Sequence, residues 1–542
     1  MTVAVVGYQW VTVAESENAG GGWLRVALAC ALPALIIGVF LYPDIQVRTM
    51  PAAVAMLILL AVAVVCVVTG RPRLVVIVPV VASVLPSQLA GFTAYLIVLF
   101  ILGSTIGGRR LVCPLDSVDW ALLAVLVWIT ASWIINMGME TDPWSLPVFL
   151  VTFLSPWLVL CLARAATWTS MELERLPVLL LGLAAAQLAP ALLKPVLLGA
   201  RGAYAVPLEP LSFIKGGLIA GLIGDASSDQ TFGTTPSAHH LGVLLLLAIV
   251  LLMARSIARR QAESWPVLLA MSFVFLMTDA KHVILAAVPS ALLFGRIVVW
   301  PLLSRPARRA VVVIGVAVMA VAGGWIGATV SRLVVQGLWK PYLSLATFNP
   351  KVQLVIRTVD RLERNDLNTW MGLGPGSYAT RAATIRATDV LFKAADRLPS
   401  IIPPHTGASY RAAAYDLYTS DVALTAKFRS GVLTNPFSSV VGVVAEFGLL
   451  GTALLGWLLL AVARRGWQAW RRQDLSPTLR AAGATLGFAV PLLATLGLFD
   501  SYFEQPDVTA PIILLGVVVF GALEGGRATN VIRGAVAWDI AS

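Results

Sequence analysis

The segment Trp370-Met371-Gly372-Leu373-Gly374-Pro375-Gly376-Ser377-Tyr378 lies in the one long polar stretch of this chain, residues 336–436. Apolar segments flank that stretch on both sides. Its three glycines allow positive φ and a close approach of the backbone, and Pro375 fixes its own φ and removes a donor. The sequence therefore predicts a tight turn within a large structured loop. We expect any chemistry to lie in this loop or at the membrane edge that faces it.

The composition is that of a polytopic membrane protein. Of 542 residues, 58% are hydrophobic and 12% are charged, which is far more apolar than a soluble domain. Apolar windows of about 20 residues, enough for a helix to cross roughly 30 Å of hydrocarbon, recur along the chain. Backbone groups in lipid must be satisfied within each segment, and the sequence lacks the alternating strands of a barrel. We predict an all-α polytopic transmembrane helical bundle.

About 12–14 spans are predicted from the apolar windows, and our preferred count is about fourteen. They lie at 25–43, 51–69, 74–87, 89–107, 119–137, 145–165, 176–199, 238–254, 265–280, 282–300, 310–335, 437–463, 481–499 and 510–525. The domain organisation is then a cytoplasmic N-terminal segment 1–22, a first bundle part 23–335, the large loop 336–436, a second bundle part 437–525 and a cytoplasmic tail 526–542.

The orientation follows from arginines, which occupy alternate short connections. Because such residues favour the cytoplasmic side, both termini are predicted to be cytoplasmic and the large loop extracytoplasmic, in a cytoplasmic (inner) membrane. The arginines concerned include Arg71, Arg73, Arg109, Arg110, Arg164, Arg175, Arg255, Arg259, Arg260, Arg464, Arg465 and Arg480.

Composition also argues against several classes of function. The net charge of +11 is explained by these arginines, so nucleic acid is not an expected partner. The four cysteines imply no disulfide framework. His239 and His240 are adjacent and cannot share one helical face, so no metal pair is predicted there. We expect neither a metal nor another cofactor.

A helix is predicted near the start of the large loop. Val352, Val355, Val359 and Leu362 recur at helical spacing, while Arg357, Arg361 and Arg364 occupy other positions. We expect this amphipathic helix to lie on the outer membrane surface or to pack over the bundle.

The order of these features resembles the O-antigen ligase and polymerase superfamily. The resemblance rests on the basic helix, then Trp370 and the glycine turn, then a long outer loop, and then Ala445-Glu446-Phe447-Gly448-Leu449-Leu450-Gly451 in the next span. Two stretches before the loop show weaker similarity to motifs of the family, and they are Thr231-Phe232-Gly233-Thr234-Thr235-Pro236 and Met277-Thr278-Asp279-Ala280-Lys281. It covers roughly residues 225–465.

This resemblance implies an enzyme, a glycosyltransferase that joins lipid-linked glycans on the outer face of the membrane. An acceptor sugar hydroxyl would attack the anomeric carbon of a sugar linked to a polyprenyl diphosphate. The implied partners are that donor, a glycan or lipid-glycan acceptor and membrane lipid. Three departures are evident. Phe437 and Ser438 stand where members commonly carry a His-Asn pair, and Lys281 stands in place of an arginine. The arginine usually found shortly before the Phe-Gly turn is missing, with Asp229 nearby. Either this chain belongs to a divergent branch of the family whose catalytic histidine lies elsewhere, such as at His405, or its activity differs from that of the core family.

Such a transfer needs cations for the departing diphosphate and a base for the hydroxyl proton. The candidate catalytic residues are His405, as the base, and Glu446, a buried acid that could instead pair with a basic residue of a neighbouring helix. The candidate diphosphate-binding cations are Lys281, Arg332, Arg381, Arg411 and Arg429. The candidate sugar-binding residues are Trp370, Tyr378 and Asp416. For each one a solvated, interfacial or packing role is the alternative.

Two other functions stay open. A flippase or transporter of lipid-linked glycans would also use cationic residues facing a central cavity, but it would not need a structured outer loop. A catalytically inactive relative could serve as a scaffold in polysaccharide assembly, since the His-Asn pair is missing. The sequence does not separate a ligase from a polymerase.

Overall fold

The computed structural model describes residues 50–85, 88–106, 116–192, 235, 237–261, 265–278, 280–302, 350–387, 402–419 and 438–541. All regular elements in these ranges are helices, and the β-type pairing there is a single isolated bridge between Met137 and Thr141. The predicted helical fold class is therefore confirmed for this part of the chain.

The first part of the bundle is formed by nine helices of the described chain. They are α1 Met50–Val68, α2 Val78–Ala82, α3 Gln88–Ile106, α4 Ser117–Ile135, α5 Ser145–Arg164, α6 Ser170–Ala186, α7 Ala238–Arg259, α8 Trp265–Met277 and α9 Lys281–Phe294. The interruption predicted around Asp279 separates α8 from α9, so these are two helices.

Five short helices follow, and we call residues 350–387 and 402–419 the cap. They are α10 Pro350–Glu363, α11 Asp366–Met371, α12 Arg381–Arg386, α13 Ala408–Ala413 and α14 Tyr415–Thr419. Three long helices complete the chain: α15 Ser439–Arg471, α16 Pro477–Phe499 and α17 Pro506–Ala541. The last one continues beyond the predicted span 510–525 into the segment that we expected to be a polar tail.

Eight of the described helices are long and apolar enough to cross a membrane, namely α4–α7, α15–α17 and α9 with its continuation to Val299. Four shorter apolar stretches coincide with further predicted spans: Leu57–Val68, Pro72–Ala82, Gly91–Ser104 and Trp265–Met277. The predicted spans 25–43 and 310–335 lie outside the described residues. The observed helices therefore agree with a multi-pass membrane protein.

A network of ion pairs holds helix ends together at one end of the bundle. Arg164, near the end of α5, contacts Asp119 of α4 and Glu524 of α17, each at 2.8 Å. Arg465 of α15 contacts Asp116, which caps α4, at 2.6 Å. Because one network joins these four helices, their contacting ends lie on the same side. We call this the network end, and the end that carries the cap is the cap end.

Helix α10 presents two different apolar stripes. Leu354, Thr358 and Leu362 are buried against the cap and bundle, whereas Val352, Val355, Ile356 and Val359 are 39–47% exposed. The predicted helix is present, but the expected face is split. Leu362 packs inward, and the three valines lie on the exposed side. The reason is that residues of the cap, including Tyr378 and Tyr410, pack against the Leu354 side.

Candidate functional site

The glycine turn has the backbone that the sequence predicts. Gly372, Gly374 and Gly376 all have positive φ, at 75°, 92° and 67°. At Gly372 a Cβ atom would lie 2.4 Å from the main-chain oxygen of Glu446. The turn therefore lies directly against helix α15, closer than any side chain would permit.

Helix α15 is interrupted where the turn meets it. Gly448 has φ 67° and ψ −172°, which is not helical. The carbonyl groups beside this kink bond to the turn, since the main-chain N–H of Leu373 donates to Ala445 O at 2.9 Å and that of Gly374 donates to Glu446 O at 3.0 Å. The kink thus supplies acceptors that an unbroken helix would have used internally.

The carboxylate of Glu446 is fully buried and is bound by the same turn. It accepts main-chain N–H donors from Gly376 at 2.5 Å, Tyr378 at 3.0 Å, Ala379 at 3.0 Å and Thr380 at 2.9 Å, and the Thr380 hydroxyl at 2.7 Å. The basic partner that we considered for this acid is not what binds it. Backbone donors fill that role, so Glu446 anchors the cap to the bundle.

A second anchor joins the cap to the connection between α4 and α5. Arg386 is fully buried and forms a two-pronged ion pair with Asp142, with the second contact from Nη2 to Oδ2 at 2.6 Å. Burial would raise the pKa of Asp142, but hydrogen bonds from Arg386 and Ser145 lower that pKa to about 2. Nearby, Glu140 accepts the Ser409 N–H at 2.8 Å. The cap is therefore fixed on both halves of the chain.

His405 belongs to this second anchor. Its Nε2 atom is 3.0 Å from the main-chain oxygen of Glu140, and its Nδ1 atom is 4.0 Å from Asp142 Oδ2. These contacts give the imidazole a positioning role within the cap. Its predicted role as a base, like that of Glu446 in catalysis, stays a prediction.

The connection between α16 and α17 is buried beneath the cap. Its residues Tyr502 and Glu504 are each 1% exposed. Both carboxylate oxygens of Glu504 accept the main-chain N–H of Arg381, at 2.9 and 2.8 Å. Burial, together with the nearby Glu446 carboxylate, raises the pKa of Glu504 to about 8. At neutral pH this acid is mostly protonated.

Three of the four histidines of the chain meet next to this connection. We define the histidine cluster as His239, His240, His282, Tyr502, Gln505 and Asp507. The rings of His239 and His282 are 4.0 Å apart between centroids, and His282 Nε2 is hydrogen-bonded to the Tyr502 hydroxyl. His240 Nε2 is 2.6 Å from Gln505 Oε1. Adjacent histidines of one helix thus contact different partners, as helix geometry requires.

Two cationic residues of the cap lie beside these groups. The Arg381 guanidinium lies over the ring of Phe92 from α3, 5.2 Å from its centroid. The Lys351 ammonium donates to the main-chain oxygen of Phe499, at the end of α16. Burial lowers the pKa of Lys351 to about 8, although the nearby Asp500 opposes the shift. The cap end therefore brings together cations, imidazoles and a carboxylic acid with a raised pKa.

The other predicted site residues are distributed differently. Lys281 begins α9 and directly precedes His282, so its backbone lies at the histidine cluster. Arg411 is exposed on α13. Arg332 and Arg429 lie outside the described residues. The Arg381 side chain contacts the bundle at Phe92.

The predicted sugar-binding residues fall into two groups. Trp370 is 57% exposed beside the glycine turn and is available to a ligand. Asp416 is also exposed, and it is paired with Arg357 at 2.6 Å. Tyr378 is fully buried in the apolar centre of the cap, with its hydroxyl 3.4 Å from Thr358 Oγ1. Its contacts are those of a packing residue.

Sequence reasoning did not single out His282, Tyr502, Glu504 or Asp507. The last three fall in 500–509, between the predicted spans 481–499 and 510–525. The available signal was the density of ionisable and aromatic residues in so short a connection. Among the described residues, no group of three or more His, Cys, Asp or Glu side chains is arranged to hold a metal ion.

No family model, no curated protein and no solved structure matches this chain.

Proposed function

We propose that this protein is a membrane glycosyltransferase that acts on polyprenyl-diphosphate-linked glycan at the cap end of its bundle. In the reaction, an acceptor hydroxyl attacks the anomeric carbon of the donor sugar. The bond from that carbon to the diphosphate oxygen breaks, polyprenyl diphosphate departs, and the hydroxyl proton is released to a base. The polysaccharide product would be ligated or extended at the cell envelope.

The observation that carries the proposal is the position of Arg381. This residue comes from the polar loop, its main-chain N–H is held by Glu504, and its guanidinium extends to Phe92 of a bundle helix. A fixed cation at the junction of loop and bundle suits a diphosphate whose lipid tail lies between helices. Lys351 adds a second cation nearby.

The groups around Arg381 supply the other requirement of the reaction. The imidazoles of the histidine cluster are general-base side chains, and they lie beside the cap. The cap also covers this region and is anchored at Glu446 and Asp142. A structured cover favours an enzyme that must bind an acceptor over a flippase, which has to release a lipid to either side.

The test is transfer by the purified protein in lipid nanodiscs, with a polyprenyl-diphosphate-linked oligosaccharide as donor and the same glycan as acceptor. We expect chain extension by the wild type and a loss of roughly 100-fold or more in Arg381→Ala, since one lost oxyanion contact costs about that much. Arg364→Ala removes an exposed arginine of the cap and should leave the rate unchanged.

Three results would contradict the proposal or its site. Equal rates in Arg381→Ala and wild type would remove Arg381 from the diphosphate site. Loss of activity in Lys281→Ala, Arg411→Ala or His405→Ala with Arg381→Ala unaffected would move the site to those residues. An absence of turnover by folded wild type, together with movement of the lipid across liposomes, would favour the flippase.

A further inference from the structure

Asp507 is a buried acid whose charge no neighbour balances directly. It is the second residue of α17, its side chain is 3% exposed, and neither carboxylate oxygen accepts a hydrogen bond from another described residue. Glu446 and Glu504, by contrast, are bound by main-chain N–H groups. Burying an ionised carboxylate without hydrogen-bond donors costs free energy. The protonation state of Asp507 therefore depends on its nearest titratable group.

That nearest group is His240, and its hydrogen bonds fix where its proton lies. With the Gln505 side-chain oxygen facing it at 2.6 Å, the His240 Nε2 atom is placed to donate a hydrogen bond. The other nitrogen, Nδ1, then faces Asp507 Oδ2 at 3.5 Å. In a neutral imidazole with hydrogen on Nε2, the Nδ1 atom bears a lone pair. A lone pair facing an ionised carboxylate is repulsive, and neither His240 Nδ1 nor Asp507 Oδ2 has a hydrogen-bond partner among the described residues. A proton between the two atoms would satisfy both.

We propose that His240 and Asp507 together bind one exchangeable proton inside the bundle, shared between Nδ1 and Oδ2. The site goes beyond the proposed glycan transfer, because it stands on its own contacts and binds a proton whatever the substrate. Both side chains are at least 95% shielded, so the pair is a proton-binding site rather than a surface ion pair.

The groups around the pair come from α3, α7, α9, the cap and the connection that precedes α17. Gly91 of α3 lies next to the Asp507 carboxylate, and Tyr95 of the same helix is hydrogen-bonded to Thr509 at 3.0 Å. Arg381 of the cap acts on both members of the pair through its charge, and His239 acts on His240. The His282 and Tyr502 pair lies beyond His239.

The experiment is ¹⁵N NMR of the full chain, labelled on histidine and held in nanodiscs. The chain has four histidines, so few signals arise, and His240→Gln assigns the one of interest. We expect His240 Nδ1 in the wild type to have the chemical shift of a protonated or proton-sharing nitrogen. In Asp507→Asn the same nitrogen should move to the range of a bare acceptor. Glu363→Gln, on the exposed side of α10, is the matched control and should leave it unchanged.

Each outcome decides the proposal. A bare Nδ1 in wild type from about pH 5 to about pH 9 would overturn it, and so would an Nδ1 signal that is the same in Asp507→Asn. If that variant does not fold, the wild-type spectrum still decides, and Asp507→Glu should retain the proton-sharing signal. None of these measurements involves a glycan. Failure of the proposed transfer is thus distinguishable from failure of the proton site.

Discussion

Glu446 shows how much a single residue's role depends on distant parts of the chain. The sequence shows an acid in an apolar span, from which we proposed a catalytic role and, as the alternative, pairing with a basic side chain of a neighbouring helix. Its actual partners are the main-chain N–H groups of Gly376, Tyr378, Ala379 and Thr380, about 70 residues earlier. Almost every residue has a main-chain N–H group, so the sequence does not indicate which of them bind a given side chain. The turn itself was predictable, since its glycines report a local backbone requirement.

Glu504 makes stability depend on pH. Its pKa is about 8 in the folded protein, against an ordinary value of 4.5. Because protonation is favoured by folding, the stability due to this group is complete below pH 4.5 and is lost as the pH rises to 8. The total change is on the order of a few kcal/mol. We expect the melting temperature of the wild type to fall over this range.

Glu504→Gln should remove this part of the pH dependence, because the neutral amide oxygen still accepts the Arg381 N–H and cannot ionise. Thermal unfolding in detergent at several pH values measures the effect. Glu363→Gln, an exposed residue of α10, serves as the comparison and should keep the wild-type slope. A slope in Glu504→Gln equal to that of wild type would show that another group is responsible.

Among the elements, α15 is the one on which the cap depends most. The sequence predicted a span at 437–463, and the helix extends from Ser439 to Arg471. Gly448 was recognised as part of a motif, but the kink was not predicted. Apolar periodicity passes through position 448 without interruption. At the kink, the main-chain carbonyl groups of Ala445 and Glu446 accept hydrogen bonds from the glycine turn instead of from within the helix.

Gly448→Ala should therefore destabilise the protein strongly. A Cβ atom there would lie 2.4 Å from the main-chain oxygen of Trp370, and alanine disfavours the observed φ of 67°. We expect a loss of roughly 3 kcal/mol or more, measured by thermal or denaturant unfolding. Gly456 lies in the same helix with no atom within 4 Å of its would-be Cβ. Gly456→Ala should be neutral or stabilise by about 0.5–1 kcal/mol, and similar losses in both variants would contradict this explanation.

Helix α10 illustrates the limit of periodicity. Its amphipathic pattern correctly predicted a helix, but a pattern does not state which part of an apolar face finds a partner. The cap residues that cover Leu354 and Leu362 come from sequence positions up to about 60 residues away. The valines at 352, 355 and 359 were predicted on the same face as Leu362 and are exposed instead.

At the scale of the whole molecule, the distribution of arginines was the most informative feature of the sequence. They predicted which helix ends share a side, and the structure brings Arg164 and Arg465 into one network at one end. Arg73 pairs with Glu172 at the start of α6, which continues from α5 at that same end. The arginine pattern thus agrees with the structure on which helix ends lie together, and the side of the membrane that they face stays a prediction. The candidate site was less predictable because it depends on contacts between distant segments.

Which side of the membrane each end faces is a prediction that labelling can test. In a chain with its four cysteines replaced by serine, Asp366→Cys in the cap should react with a membrane-impermeant maleimide on intact cells. Asp474→Cys, between α15 and α16, should react after permeabilisation alone. Both positions are exposed, so access is limited by the membrane. Labelling of both from one side would contradict the two-ended arrangement, and the reverse pattern would contradict the predicted orientation.

The two anchors of the cap have a consequence for how the protein is made. A ribosome synthesises Glu140 and Asp142 long before the cap, but Glu446 and Glu504 come after it. The newly translated loop can therefore meet its first set of partners at once. The amide groups of its glycine turn stay without their carboxylate until the next helix has entered the bilayer. Docking of the loop onto the bundle is accordingly expected among the last steps of biogenesis. In a chain truncated before residue 446, the glycine turn would lack the carboxylate that binds it.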